Sequence, residues 1–185
     1  MGHSSTHTLG SHLTEKGVDF CVWAPFAVSV TALVGEPHNW TEFPLVADGE
    51  YWCGTAADVE AGQSYKYRIQ SKDGQTLEKN DPRARQLTAS EEGLSVIIDP
   101  HYDWENTPQP ELKKEEHILY ELHVGTFNRP DAATSGTFYT AIEKLEYLQS
   151  LGVTTIELMP VTSMATSNGW GYAPNYLFSV ENSYG

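Results

Sequence analysis

Two carboxylate residues in the C-terminal part of the chain are the first candidates for acid–base chemistry. Glu121 and Glu157 each stand in a short apolar run, in ILYELHV and in VTTIELM. A positioned pair of carboxyl groups is a common device for general acid–base catalysis. After the second run comes the aromatic-rich stretch NGWGYAPNYLFSVENSYG, which is predicted to be a loop. Because parallel α/β folds bind ligands beyond the carboxyl ends of their strands, we expect the chemistry of this region in that loop.

The apolar pattern around these residues predicts one β-α-β unit. ILYELHV is almost continuously apolar, which is typical of a strand buried on both faces. Apolar residues then recur at helical spacing from Phe138 to Leu151, with charged residues between them. Thr137 is the predicted N-cap of this helix and Gly152 the residue that ends it. VTTIELM is the predicted second strand.

Residues 16–100 have the pattern of an antiparallel β-sandwich. Short runs rich in β-branched and aromatic residues recur here, among them VDFCVWAP, VSVTALVG, EYWCGTAADV and QSYKYRIQ. In the last run Tyr65 and Tyr67 alternate with basic residues, as expected for a strand with one buried face. Asp-Gly pairs at 48–49 and 73–74 mark hairpin turns. The pattern predicts an all-β, immunoglobulin-like sandwich.

Composition divides the chain into four parts. Residues 1–15 are polar and are predicted to be a loose N-terminus. The sandwich follows over 16–100. Residues 101–116 combine prolines with mixed charge, which predicts a linker that packs along a surface. The β-α-β unit occupies 117–185.

The charge balance excludes some classes of partner. The 185 residues include 25 acidic and 11 basic side chains, a formal charge of −14. Nucleic acids and anionic membranes require clustered Lys and Arg, so we expect neither as a partner. No apolar run approaches the roughly 18 residues of a membrane helix, and the N-terminus lacks an apolar leader core. We therefore expect a cytoplasmic globular protein.

The cysteines and histidines do not predict a metal centre. Cys21 and Cys53 both stand in predicted strands, which could bring them near each other. Buried free thiols are the interpretation we favour, with a disulfide as the alternative. His117 and His123 are six residues apart, without companions at metal-ligand spacing. We expect no metal and no cofactor.

The order of several motifs resembles a known family. YELHVGTF, GTF at the helix start, LGVTTIELMPV and then WGY resemble the opening of the α-amylase family barrel, glycoside hydrolase family 13. The resemblance is greatest to branching enzymes, isoamylases and maltooligosyltrehalose trehalohydrolases. GVDFCVWAP, NWTEFPL, DGEYW, GQSYKYRI and NDPRAR resemble the β-sandwich that precedes it, carbohydrate-binding module family 48. The resemblance spans residues 9–185. It implies a sandwich followed by a partial (β/α)8 TIM barrel, of which only the first β-α-β unit lies in this sequence.

The resemblance assigns sugar-binding roles in the last loop. In the family the tyrosine of WGY stacks on the sugar at the cleavage site, and that position is Tyr172. A sugar's C–H face packs well on an aromatic ring whose hydroxyl can still reach a polar partner. Trp170 and Asn168 of the same loop are weaker candidates. Ala173 stands where the family often has an acidic or amide residue.

The resemblance removes the acid–base role from the two glutamates. Glycoside hydrolysis uses two carboxyl groups that flank the bond, and Glu121 with Glu157 first suggests such a pair. The family's catalytic carboxylates come from later barrel strands, which are not in this sequence. We therefore interpret Glu121 and Glu157 as structural and expect no catalytic residue in the chain.

The sandwich carries part of a sugar platform. In related glycogen-binding modules one tryptophan and one lysine belong to this platform, and they match Trp40 and Lys66. A second tryptophan normally follows the next Asp-Gly turn, where this chain has Thr76 and Leu77. One ring and one ammonium group predict weak glucan binding, on the order of 1 kcal/mol per stack. Packing against the barrel is the interpretation we favour for the sandwich.

These inferences lead to an expected function and two alternatives. The expected function is part of an α-glucan-active enzyme, inactive by itself, whose partner is glycogen, starch or maltodextrin. A full barrel needs about 250 residues, so the sequence predicts either a fragment of a longer enzyme or a natural truncation. The alternatives are a stand-alone glucan-binding protein and a structural or dimerisation module. The last alternative follows from the incomplete barrel, because two parallel strands cannot close it. Their exposed apolar surface and open sheet edge would allow self-association.

Overall fold

The structure, a computed structural model, describes residues 7–89, 93–106, 108, 110–165 and 170–185. The contacts of the chain divide it into two compact units: the first runs up to Pro100 and includes Tyr176–Ser179, and the second comprises His101–Asn175 and Val180–Gly185. Across the described residues, no helix has the length and apolar character needed to cross a bilayer.

The first unit contains strands β1 to β9. Their bounds are Gly10–Thr14, Gly17–Trp23, Ala27–Glu36, Asn39–Pro44, Val46–Asp48, Tyr51–Ala56, Ser64–Ser71, Thr76–Lys79 and Ser95–Val96. One sheet has the order β1-β2-β6-β5, and another has β4-β3-β7-β8 with β9 also beside β7. All of these pairings are antiparallel. The all-β prediction for this region is confirmed, and the Asp-Gly turns join β5 to β6 and β7 to β8.

The inward-facing side chains of both sheets fill the space between them. Phe20 of β2 is 1% exposed, and Tyr65 and Tyr67 of β7 are fully buried. Phe20 lies 5.1 Å from Tyr65 and 6.4 Å from Tyr67, measured between ring centroids. Successive strand residues point to opposite faces, so every second residue enters this core. The buried members from both sheets are Val18, Phe20, Val22, Val30, Ala32, Val34, Leu45, Ala56, Val59, Tyr65, Tyr67 and Ile97.

A buried carboxylate ties the core to the end of the sandwich. Asp81 is 1% exposed, and its Oδ2 accepts hydrogen bonds from the hydroxyls of Tyr65 and Tyr67 at 2.8 and 3.0 Å. Its Oδ1 accepts one from the Arg83 amide at 2.7 Å, and its own amide donates to Ser95 Oγ. Burial raises the pKa of Asp81, and the three donors act against this rise. The network satisfies every buried tyrosine hydroxyl on this strand.

The second unit contains the β-α-β segment. Its elements are β10 Leu119–Leu122, α1 Val124–Phe127, α2 Phe138–Ile142, α3 Leu145–Ser150, β11 Thr155–Leu158 and β12 Thr162–Met164, with 3₁₀ turns at Lys114–Glu116 and Asn182–Tyr184. Strand β13 Pro174–Val180 has its ends in this unit, and its residues Tyr176–Ser179 are grouped with the first unit. Strands β10 and β11 run parallel, from Leu119 opposite Thr155 to Leu122 opposite Leu158. Strand β12 pairs with β13. The buried residues of this unit's core are Leu122, Val124, Leu148 and Tyr184.

The single helix predicted over 138–151 is in fact two. Thr137 caps α2 as predicted, and its hydroxyl accepts from the Thr140 amide at 3.2 Å. The break comes after Ile142, where the Lys144 amide bonds to the Ala141 carbonyl three residues back. The side-chain amide of Asn128 donates to the Thr140 carbonyl at 2.7 Å, which occupies the acceptor that a continuous helix would use.

Three further predictions of local structure were wrong. Residues 10–14 lie within the predicted loose N-terminus but form β1, because they pair with β2 in register. The predicted aromatic loop contains β13, whose alternating Tyr176 and Phe178 could have signalled a strand. The predicted strand ILYELHV ends at Leu122, because residues 124–127 form the short helix α1, in which the His123 carbonyl accepts from two following amides.

The apolar pattern of β10 predicts burial on both faces, yet much of the strand is open. Leu119 is 56% exposed and Tyr120 38% exposed, and Leu158 of β11 is 45% exposed. Among the described residues, β10 pairs only with β11. The faces of a strand are covered by layers packed on them, and the described residues of this unit cover β10 only in part, so several of its apolar side chains remain at the surface.

Asp81→Ala is predicted to destabilise the chain by about 3 kcal/mol. The substitution leaves the buried hydroxyls of Tyr65 and Tyr67 without an acceptor, and each unsatisfied group costs about 1–3 kcal/mol. Urea unfolding followed by circular dichroism measures the change. Glu60→Ala, at an exposed position, is the control and should change stability by less than about 0.5 kcal/mol. An Asp81→Ala variant as stable as the control would contradict the assigned role of this network.

Candidate functional site

The outer face of the β4-β3-β7-β8 sheet carries the first candidate site. Because Tyr65 and Tyr67 of β7 point into the core, Lys66 and Arg68 point outward. Lys66 lies opposite Leu33 of β3, and Trp40 of β4 lies opposite Gly35. Gly35 has no side chain to compete for the space beside the indole ring.

The structure brings the two candidate residues of the sandwich together. The Lys66 ammonium lies over the Trp40 ring, 4.9 Å from its centroid. Such cation–π contacts are worth about 0.5–1 kcal/mol at exposed sites. The contact orients the indole before any ligand arrives. Trp40 itself is partly buried, so part of its ring remains accessible.

Acidic side chains complete this face. The Lys66 ammonium is 2.7 Å from a Glu78 carboxylate oxygen, and Arg68 bridges Glu78 and Glu42. The hydrogen bond from Lys66 holds the pKa of Glu78 below its usual value. We name Trp40, Lys66, Arg68, Glu42 and Glu78 the outer-face cluster. It offers one aromatic surface bordered by hydrogen-bond donors and acceptors.

The position of the absent second tryptophan lies on the same face. Thr76 of β8 pairs with Gln70, which points outward as Lys66 and Arg68 do. Leu77 pairs with Ile69 and so belongs to the opposite face. Thr76 is exposed and adds a hydroxyl group where a ring would add a stacking surface.

A cavity of about 590 Å³ in the second unit is the second candidate site. It lies where β10 ends, and the chain enters α1 through His123. Ligand sites of parallel α/β folds lie at this end of the strands. The described residues that line it are His123, Gly125, Thr126, Arg129, Ala133, Ser135, Met164, Trp170, Ser183 and Tyr184.

A hydrogen bond between His123 and Tyr184 forms one wall of this cavity. The Tyr184 hydroxyl is 2.8 Å from His123 Nε2, and Thr126 Oγ1 is 3.0 Å from His123 Nδ1. A neutral imidazole with its proton on Nδ1 donates to Thr126 and accepts from Tyr184, which satisfies all three groups. Burial lowers the pKa of His123, which favours this neutral form. Gly125 permits the close approach, since a Cβ there would lie 2.9 Å from the Tyr184 ring.

Glycine at position 171 orients the two aromatic candidates of the WGY motif. Gly171 has a φ of 82°, and a Cβ there would overlap the Pro160 carbonyl. Its amide donates to Met164 Sδ at 3.0 Å. Trp170 is 59% exposed and lines the cavity, whereas Tyr172 is 65% exposed and is not among the described lining residues. Asn168 lies outside the described residues.

The two glutamates are adjacent but lie away from the cavity lining. Glu121 and Glu157 stand opposite each other in the β10–β11 pair, and both are exposed. None of the described residues that line the cavity carries a carboxyl group. Sequence reasoning missed Tyr184 and Arg129 as cavity residues. The only signal for Tyr184 was its place in the closing YG pair, and Arg129 gave none.

Comparison with known proteins identifies both parts of the chain. Residues 8–84 match carbohydrate-binding module 48, the isoamylase N-terminal domain, and residues 122–185 match the α-amylase catalytic domain. The chain belongs to the α-amylase family. Carbohydrate-binding module 48 has an immunoglobulin-like fold, in agreement with the antiparallel sheets of the first unit.

Relatives in this family are glucan-active enzymes by name. The chain is 36% identical over 179 residues to malto-oligosyltrehalose trehalohydrolase of Saccharolobus solfataricus, which covers 96% of the chain and 30% of the relative. It is 33% identical over 189 residues to the 1,4-alpha-glucan branching enzyme GlgB of Corynebacterium jeikeium, covering 96% and 26%. The chain therefore spans about 30% of the length of the curated relatives it matches.

Two solved structures are similar to nearly the whole of the chain. A putative alpha amylase from Salmonella typhimurium matches with a TM-score of 0.79 and 32% identity, over 96% of this chain and 29% of that one. The pullulanase SAP of Group B Streptococcus, in complex with maltotetraose, matches with a TM-score of 0.82 and 25% identity. That match covers 98% of this chain and 29% of the pullulanase.

Proposed function

We propose that this chain is the N-terminal part of a glycoside hydrolase family 13 enzyme that acts on α-glucans such as glycogen, starch or maltodextrin. The matches to branching enzymes, trehalohydrolases and pullulanases support this substrate class. In such an enzyme the first unit is the carbohydrate-binding module. The second unit is the first β-α-β unit of a (β/α)8 barrel, and the parallel pair β10–β11 fits that role.

The contact between Trp40 and Lys66 is the observation that carries the glucan-binding part of the proposal. A sugar packs its C–H face on the indole, and the ammonium group is a donor for the sugar hydroxyls. Because Lys66 already orients the ring, little side-chain entropy is lost on binding. With Thr76 in place of a second ring, the outer-face cluster binds weakly.

Trp170 and Tyr172 are the sugar contacts that we propose for the second unit. Both rings are more than half exposed, and they flank a glycine whose position is fixed by Pro160 and Met164. Tyr172 serves as a stacking surface beside the cavity, and Trp170 forms part of its wall. His123 and Arg129 supply polar groups there for sugar hydroxyls.

Glucan binding by the purified chain is predicted to depend on Trp40. In affinity electrophoresis through gels containing glycogen, the chain should be retarded, and Trp40→Ala should weaken the apparent affinity about fivefold. This factor corresponds to one ring stack of about 1 kcal/mol. Trp23→Ala is a matched control, because Trp23 is an exposed indole on a strand of the other sheet. Equal retardation of Trp40→Ala and the wild type would show that the outer-face cluster is not a glucan site.

The chain alone is predicted to have no turnover of maltodextrin. Retaining hydrolysis needs a nucleophilic carboxylate and an acid–base carboxylate on either side of the bond, and no described lining residue of the cavity supplies one. A reducing-end assay tests hydrolysis, with an α-amylase as positive control, and an iodine-staining assay tests branching, with a complete branching enzyme as positive control. Turnover that persists through repeated purification would refute the prediction that the chain by itself lacks the carboxylates needed for catalysis.

Self-association is a second candidate function, favoured by the exposed apolar strands. Ile118 and Leu119 are each 56% exposed, and neighbouring Tyr120 and Leu158 are also open. A second copy could pair with the free edge of the parallel strands.

Light scattering is predicted to show a mass that rises from monomer to dimer with concentration. Leu119→Lys should hold the chain as a monomer, because a charge on the paired face is costly to bury. Leu77→Lys, at an exposed leucine of β8, is the matched control and should still dimerise. A wild-type chain that stays monomeric at all concentrations would eliminate self-association.

A further inference from the structure

The outer face of the β1-β2-β6-β5 sheet gathers two sulfur atoms and an imidazole. Phe20 and Val22 of β2 point into the core, so Cys21 between them points outward. Cys53 of β6 lies directly opposite, with 4.1 Å between the Cα atoms. The structure joins the two sulfurs as a disulfide, which is the alternative to the free thiols that the sequence favours. His7 covers this pair, and its ring lies 4.5 Å from that of Tyr51.

His7 is oriented as a metal-binding histidine would be. Its Nδ1 is 3.6 Å from Cys53 Sγ, and its Nε2 is 3.4 Å from a carboxylate oxygen of Asp48. While the sulfurs form a disulfide, Nδ1 is the donor in its contact with Cys53; after reduction, the Asp48 carboxylate beside Nε2 can hold the imidazole proton there, so that Nδ1 can bind a metal ion. Metal-ligating histidines use this carboxylate–histidine arrangement. His7 and the two cysteines therefore offer donor atoms that all lie within 4.8 Å of one another.

We propose that the reduced form of the chain binds one Zn²⁺ ion through Cys21, Cys53 and His7. Zn–S bonds of about 2.3 Å and Zn–N bonds of about 2.0–2.1 Å at a tetrahedral angle place sulfur and nitrogen about 3.6 Å apart. This is the separation between Cys53 Sγ and His7 Nδ1. The β2–β6 ladder keeps the cysteines opposite each other after the disulfide opens, so both sulfurs remain within reach of the same ion.

The reduction step requires a dithiol as reductant. The Cys21–Cys53 bond takes up two electrons and two protons and becomes two thiols, while the dithiol closes to its own disulfide. Zn²⁺ then displaces both thiol protons, and the thiolates bind the ion. The oxidised chain has no thiolate to offer, so metal binding at this face depends on the redox state of the cysteine pair.

Two thiolates and one imidazole select a thiophilic ion over magnesium or calcium, which prefer oxygen ligands. Three protein ligands leave one tetrahedral position free for water or another ligand. That position faces a shallow cavity of about 650 Å³, whose described lining includes Thr8, His12, Asp19 and Thr55.

Cobalt titration of the full chain under anaerobic conditions tests the proposal. Dithiothreitol reduces the protein and is removed by gel filtration before Co²⁺ is added. The reduced chain should bind one Co²⁺ with a thiolate-to-cobalt charge-transfer band, which Zn²⁺ then abolishes by displacement. The oxidised chain should show no such band. Stoichiometric Zn²⁺ should also protect both cysteines of the reduced chain from iodoacetamide.

Variants locate the ligands. Cys21→Ser and Cys53→Ser should each weaken the charge-transfer band and the affinity, and the double variant should lose both. Asp48→Asn keeps the three ligands and should weaken binding by about tenfold, the usual effect of removing a carboxylate behind a histidine ligand. His7→Ala should weaken it further. His38→Asn is the matched control, since it removes an exposed imidazole from a turn of the same sandwich and should leave affinity unchanged.

Two results would overturn the site. One is a reduced chain that gives neither the charge-transfer band nor protection from alkylation. The other is undiminished metal binding in the double cysteine variant, which would place the ion on histidines alone. Circular dichroism of each variant verifies folding. The comparison of reduced with oxidised wild type and the alkylation experiment need no substitution, so they decide the question even where a variant does not fold.

Discussion

The carboxylate of Asp81 is removed from water and held by three hydrogen-bond donors, and the first unit depends on this arrangement. A carboxylate in such a place is costly unless its oxygens are bonded, and Tyr65, Tyr67 and the Arg83 amide provide those bonds. The two tyrosines are alternate residues of β7, so the network also fixes which face of this strand points inward. Lys66 and Arg68 must then point outward. The outer-face cluster therefore depends on a contact in the core.

This dependence explains how β7 contributes both to the core and to the proposed glucan site. On its inner side β7 contributes the largest fully buried side chains of the sandwich. On its outer side it places the Lys66 ammonium over Trp40 of β4, although the two residues are far apart in sequence. Glu78 keeps Lys66 in position through their salt bridge, and the hydrogen bond from Lys66 in turn lowers the pKa of Glu78. Binding groups that stand on rigid strands are already oriented when the ligand arrives.

The second unit follows a similar logic at the end of a parallel strand pair. His123 directly follows β10, and its hydrogen bond to Tyr184 connects the end of that strand to the 3₁₀ turn Asn182–Tyr184. Gly171 lets the WGY segment approach Pro160 so closely that no other residue would fit without a shift. The result is a cavity with an aromatic and polar lining but without a carboxylate among its described residues.

The cysteine pair and His7 show that strand register brings together residues whose proximity the composition does not reveal. Cys21 and Cys53 are 32 residues apart, and neither spacing nor composition distinguishes buried thiols, a disulfide or a metal site. The β2–β6 register makes them direct neighbours. His7 joins them because the segment predicted to be loose continues into β1, which pairs with β2.

The sequence by itself determined the element types where the pattern was local and strong. Alternation of apolar and polar residues identified β2, β3, β6 and β7, and helical spacing identified the helical region. This region begins after Thr137 and ends before Gly152, as predicted. The motifs also identified the family, and the comparisons confirm it. These features depend on a residue and its near neighbours in the chain, so the order of residues is enough to reveal them.

Only the tertiary structure decided the features that depend on distant residues. The helix breaks because Asn128 takes the Thr140 carbonyl, and residues 10–14 become a strand because β2 offers a free edge. Tyr184 and Arg129 enter the cavity through chain folding that no local pattern encodes. The contact of Lys66 with Trp40 and the pairing of the cysteines likewise follow from strand register. Register is set by the packing of a whole sheet against its core, which no single stretch of sequence contains.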